Sequence, residues 1–169
     1  MEIRIENLNQ YPQYIETVVG WIYKEWGDNN PNYWKEWITH SLYSDRVPMT
    51  FIAFVDDIPA GTISLWNCDI QSRQDLSPWV GGLYVADGFR GQSYGEQKLG
   101  LLLQKHALKA LQDMEYRKAY AFTEKTTDYY ERIGWKPIGP TRDENDNVIS
   151  LLEMDLSNQE PAENHSFNL

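Results

Sequence analysis

The sequence predicts a single α/β domain on a mixed (α+β) sheet, with the element order β-α-α-β-β-β-α-β-α-β-β. Three observations carry this. The 169 residues suit one core, since a single domain commonly holds about 100–200 residues. Short β-rich runs alternate with amphipathic helical stripes. The longest stripe lies between two strand-like runs, which implies a local parallel crossover in a mixed sheet.

Residues 2–8 alternate, with Ile3 and Ile5 facing in and Leu8 a further inward candidate, as in a short strand. Ile15, Val18, Val19, Ile22 and Trp26 recur at helical spacing, with Pro12 tolerable in the first turn and Gly27 as the stop. Asn30-Pro31 reads as the cap and first position of a second helix, whose apolar face is Trp34, Trp37, Ile38 and Leu42. Thr50–Val55 and Ala60–Trp66 flank Asp56-Asp57 as a hairpin. After the polar loop Asp69–Asp75 comes a strand over Trp79–Ala86, where the pair Gly81-Gly82 signals a bulge or a close backbone approach.

The loop Asp87–Tyr94 leads to the longest helix, marked by Leu99, Leu102, Leu103, Ala107, Leu111 and Met114. His106 sits at the edge of that stripe and reads as a packed side chain. A strand over Lys118–Thr123 precedes a short helix over Asp128–Ile133, closed by Gly134. Two last strands, Trp135–Ile138 and Val148–Leu156, are joined by an acidic loop over 143–146. The domain is expected to span 1–156, and the polar segment 157–169 is expected to be a mobile tail.

Composition narrows the function. Apolar residues make up 41% and charged residues 24%, the balance of a globular chain. The net charge of −10 argues against nucleic acid or an anionic membrane surface as partner, and permits a cationic one. A lone cysteine, Cys68, excludes an internal disulfide and a multi-cysteine zinc site, and no metal is expected. No apolar run reaches the roughly 18–20 residues of a membrane span, and the N-terminus lacks a signal-peptide layout. A soluble, cytoplasmic setting follows as the expectation.

The chemistry concentrates in residues 81–100, GGLYVADGFRGQSYGEQKLG. A strand runs into a glycine-rich loop that leads to a long helix. Unpaired N–H groups at a helix start lie at the positive end of its dipole, and glycines let backbone approach a ligand, so the segment suits an anion such as phosphate. It is neither a Walker loop nor a dinucleotide fingerprint. An ordinary tight strand-to-helix turn would carry the same glycines.

The stretch PWVGGLYVADGFRGQSYG resembles the acetyl-CoA-binding motif of the GNAT superfamily of N-acetyltransferases, L-x-V-x-P-x-Y-R-G-x-G-x-G. AFTEKTTDYYERIGWKPIG resembles the family's second motif. Both occur in the family's order and separation, and the element order matches over most of the chain.

The resemblance implies a fold with a bulged central strand and acetyl transfer to a primary amine within a ternary complex. It implies that pantetheine pairs with the backbone of Leu83, Tyr84 and Val85, with Val85 also meeting the thioester. Pyrophosphate would lie on Arg90, Gly91, Gln92, Ser93, Tyr94 and Gly95, and Thr123 would touch pantetheine. Tyr130 aligns with the tyrosine that protonates the departing thiolate. The family also allows a homodimer.

Three departures stand out. Ser93 replaces a glycine, Asp87-Gly88 replaces a proline-containing pair, and Thr123 replaces an asparagine. The strand offers no acid at 80–82, so the base must come from elsewhere. Asp75 is the leading candidate, with Asp69, Glu25 and Asp28 as others. Trp79 and Trp26, with Asp28, are candidates for acceptor contact, because aromatic faces and carboxylates hold cations.

Residues 88–136 carry nine Lys/Arg against six Asp/Glu, a net of +3, whereas the rest of the chain carries −13. This division favours a cationic small-molecule amine as acceptor. The same fold could instead serve a longer acyl-CoA, a peptide or protein N-terminus, or a non-catalytic role in CoA sensing or protein binding.

Overall fold

In a computed structural model, which describes residues 1–27, 30 and 32–157, the polar and apolar periodicities resolve into one seven-stranded sheet between two helical layers. Asp28, Pro31 and nearly all of the expected tail lie outside the described residues. Strand β1 (Ile3–Asn7) forms one edge. Pro12 opens a separate short 3-10 turn, its last residue Tyr14 lies outside α-helical geometry at φ −101°, and α1 runs from Ile15 to Trp26. Gly27 ends it at φ +48°, donating its N–H to Tyr23 O. Helix α2 covers Asn32–Thr39, with Asn30 Oδ1 accepting from the Asn32 N–H at 3.0 Å.

Strands β2 (Met49–Val55) and β3 (Ile58–Trp66) form the expected hairpin, with Asp56 and Asp57 both at positive φ in the turn. Strand β4 (Trp79–Val85) pairs antiparallel with β3. A miniature hairpin, β5 (Ser93–Tyr94) and β6 (Gln97–Lys98), follows. Then come α3 (Leu99–Asp113), β7 (Lys118–Thr123), α4 (Thr127–Arg132), β8 (Lys136–Arg142) and β9 (Val148–Asp155). The sheet order is β1-β2-β3-β4-β7-β9-β8. The crossover through α3 makes β4 and β7 parallel neighbours.

Two cores lie on opposite faces. Leu99, Leu103, Ala107 and Leu111 of α3 pack on Phe51, Ala53 and Ile63. Val18, Val19 and Ile22 of α1 pack on Ile52, Phe54 and Trp79. Alternation along β2 feeds both, so each helical layer is held by the same strands. His106 lies edge-on to Phe51 at 4.7 Å, packed as its place on the stripe implies.

Candidate active site

The site starts from a fault in the sheet. Strands β4 and β7 share a single register pair, Trp79↔Tyr120, and part beyond it. On the other side of β4, Thr62 faces Tyr84 and Ser64 faces Gly81, so β4 carries one extra residue there. This is the bulge that Gly81-Gly82 signalled, with Gly82 at φ +61°, a backbone setting that disfavours side chains. A cavity of about 170 Å3 fills the fork.

The fork opens through the sheet, so its walls come from both cores. Val80, Leu83, Ala121 and Tyr130 line it from the α3 side. Trp34, Trp66 and Phe122 line it from the α1/α2 side, together with the half-exposed Trp26. Asp69, Gly81, Gly82 and Gln104 complete the wall.

Asp69 is the unusual carboxyl. Loss of surrounding water, and then the nearby charge of Glu144, push its pKa up to about 7. Glu144 belongs to the acidic 143–146 loop and accepts the Gln71 N–H at 2.6 Å, while Ser72 Oγ donates to Arg142 O at 3.3 Å. The β8–β9 turn therefore braces the segment that carries Asp69. Across the cavity, Tyr130 is half-buried, stands edge-on to Trp135 at 6.1 Å, and has its phenol pKa raised by burial and by Tyr129.

The chain matches the profile of the Acetyltransferase (GNAT) family over residues 12–135. It belongs to the GNAT acetyltransferase family. A search of curated proteins by sequence returns no significant match. Its fold is similar to that of an aminoglycoside 6'-N-acetyltransferase complexed with coenzyme A (TM-score 0.70, 13% identity, 94% of this chain and 99% of that one). The corresponding enzyme from Enterococcus faecium is also similar (TM-score 0.64, 14% identity, 95% and 100% covered). So is a chain of the NatC complex bound to Gag peptide and CoA (TM-score 0.68, 16% identity, 92% and 99% covered).

Several expected contacts fall differently in this GNAT chain. Asp75 does not reach the fork. It is exposed, and its hydrogen bonds to Arg73 at 2.8 and 2.9 Å hold its pKa below the usual carboxylate value. Trp79 is 0% exposed within the α1-side core and donates its indole N–H to Leu76 O at 2.7 Å, so it cannot touch an acceptor. Thr123 turns its hydroxyl to Thr126 Oγ1 at 2.8 Å and does not line the fork.

On β4 the cavity meets Val80–Leu83 rather than Val85, whose carbonyl accepts from Arg90 Nε at 2.7 Å. Tyr84 faces away and stacks on Trp21 at 5.7 Å.

The glycine loop also departs from expectation. The β5–β6 hairpin intervenes, and α3 starts at Leu99 with no side-chain cap. The uncapped helical N–H groups therefore begin at Leu99, downstream of Arg90–Gly95. The Arg90 side chain braces the loop, ion-pairing with Glu25 at 3.3 Å and lying over Tyr84 at 4.8 Å. Its backbone N–H is directed to Asp87 O at 3.4 Å. Asp87 is neutralised by Lys24 at 2.5 Å.

Ser93 sits in a strand, and positive φ falls on Gly91 and Gly95 instead, so replacing the usual glycine brings no strain. Tyr94 is buried against the α3-side core, and Gln92 Nε2 donates to Gly88 O at 2.6 Å.

Trp66 and Gln104 were not singled out by sequence. Gln104 follows Leu103 directly on the buried arc of α3, and a polar residue on that arc was the available signal.

Proposed function

We propose that the chain is an N-acetyltransferase that moves acetyl directly from acetyl-CoA to a primary amine, with residues 1–156 as the catalytic unit. The observation that carries this is the fork cavity, with a carboxyl raised to about 7 on one side and a protonated phenol on the other.

The residues fit the co-substrate. The β7-facing edge of β4 has no strand partner beyond Trp79, which suits the amides of pantetheine. Gly91 and Gly95 at positive φ, Lys98 and the uncapped start of α3 suit phosphate oxygens.

In the reaction the amine nitrogen bonds to the thioester carbonyl carbon. The Asp69 carboxylate takes the nitrogen's proton, and a pKa near 7 keeps it a competent base at neutral pH. Backbone N–H groups of the bulge face the charge developing on the carbonyl oxygen. The C–S bond breaks, and Tyr130 gives its phenolic proton to the departing sulfur.

The acceptor is a cationic small molecule, favoured by Trp26, Trp34 and Trp66 on the wall and by the acidic character of the chain outside 88–136. The likeness to aminoglycoside acetyltransferases supports a small amine.

The test is amine-dependent release of CoA thiol across aminoglycosides, polyamines, amino acids and peptide N-termini. Turnover with at least one small cationic amine is expected. No turnover with any acceptor, together with no thermal shift from millimolar acetyl-CoA, would overturn the reading.

A further inference from the structure

Gln104 is 2% exposed on the otherwise apolar face of α3. Trp135 Nε1 donates to Gln104 Oε1 at 3.1 Å. An indole N–H only donates, so this bond settles which end of the amide is oxygen. The other end, Nε2, is buried with no hydrogen-bond partner. Burying an amide N–H unpaired is costly, so such a group calls for a ligand or a function. Gln104 is also the single α3 residue on the wall of the fork cavity.

We propose that the Gln104 carboxamide is a catalytic hydrogen-bond donor to the carbonyl oxygen of the acyl thioester, acting beside the backbone N–H groups of the bulge. This rests on the acetyl-transfer reading above. An NH2 donor repels an ammonium and selects an acceptor-only oxygen. Gln104 lies on the α3 side with Tyr130, Val80 and Leu83, where the thioester end belongs, whereas Trp34 and Trp66 line the opposite side. Donation to the carbonyl oxygen polarises the bond that the amine attacks. It also strengthens as negative charge develops there.

The experiment compares calorimetric affinities for acetyl-CoA and S-ethyl-CoA, in which a methylene replaces the carbonyl, in wild type, Gln104→Leu and Gln104→Glu. Gln104→Glu keeps an acceptor for Trp135 and removes the amide donor, so it covers the case in which Gln104→Leu misfolds. The wild type is expected to bind acetyl-CoA about fivefold or more tighter than S-ethyl-CoA, the value of one net hydrogen bond. Both folded variants, measured at pH 8, should lower that ratio at least about fivefold and lower kcat about 100-fold, with amine KM unchanged.

A ratio unchanged in either folded variant overturns the role of Gln104, since a purely structural role would not distinguish the two ligands. If wild type binds neither ligand, the acetyl-transfer reading itself fails and this inference falls with it.

Discussion

The carboxylate of Asp69 occupies the space that a side chain on Gly81 would need. A Cβ there would sit 2.6 Å from Asp69 Oδ2 and 2.9 Å from Trp66 Nε1. Gly81 has no positive φ, so it is glycine for room rather than for backbone freedom. The bulged strand and the raised acid are thus one device. Gly81→Ala is expected to push Asp69 aside and to lower kcat/KM at least about tenfold, with little loss of acetyl-CoA affinity. Steady-state kinetics beside calorimetry check this.

Asp69→Asn tests the base and the burial together. In the folded chain Asp69 keeps its proton up to about pH 7, against a usual value of 3.8. Between those values the folded state binds more protons than the unfolded one, so Asp69 makes stability fall as pH rises from about 4 to 7 and level off above that. The Asn variant should match wild type in Tm near pH 4, exceed it at pH 8, and lose about 100-fold or more in kcat. Equal Tm differences at both pH values would contradict the burial of a titrating acid.

Glu144→Gln removes the charge that assists in raising Asp69. The acid limb of kcat/KM should move below pH 7, with the variant faster than wild type at pH 6. The shift is partial, because loss of water around Asp69 is the larger cause. An unmoved limb would detach Glu144 from the site.

Tyr130→Phe keeps the ring against Trp135 and removes the proton. A fall in kcat of about 100-fold is expected, with acetyl-CoA affinity preserved. Burial raises the phenol above its usual 10.0, so wild-type activity should show no alkaline limb from this group below about pH 10. Full activity in the Phe variant would remove Tyr130 from the reaction.

Trp79→Phe separates core from acceptor site. It removes the indole donor from the part-buried Leu76 O and shrinks a fully buried ring, which together should cost about 1–3 kcal/mol of stability. Amine KM should stay unchanged. Denaturant unfolding and amine kinetics read the two effects independently.

Elements were legible wherever local chemistry decides them. The Lys118–Thr123 strand, the Asp56-Asp57 turn and the Gly81-Gly82 bulge stand where their residue types put them. The fork's residues were harder to read, because they meet across long sequence distances. Asp69 and Asp75 look alike as loop acids. One faces a glycine and a tryptophan within the fork, and the other faces Arg73 in solvent. Trp79 resembled a contact residue from its place before the bulge, but strand alternation sends it into the α1-side core. The start of α3 at Leu99 follows the small β5–β6 hairpin, a local pairing of Ser93 with Lys98 and Tyr94 with Gln97 that the glycine-rich run did not announce.

The single shared pair between β4 and β7 has a mechanical side. The seven strands amount to a four-stranded and a three-stranded sheet joined at one rung and clamped by the α3 crossover. That seam lacks the ladder that stiffens every other strand boundary. A co-substrate lying along it would supply rungs from outside the chain and act as a removable strand. Unfolding of the loaded protein would then require leaving the seam as well as melting the core, so heat resistance should climb with ligand concentration.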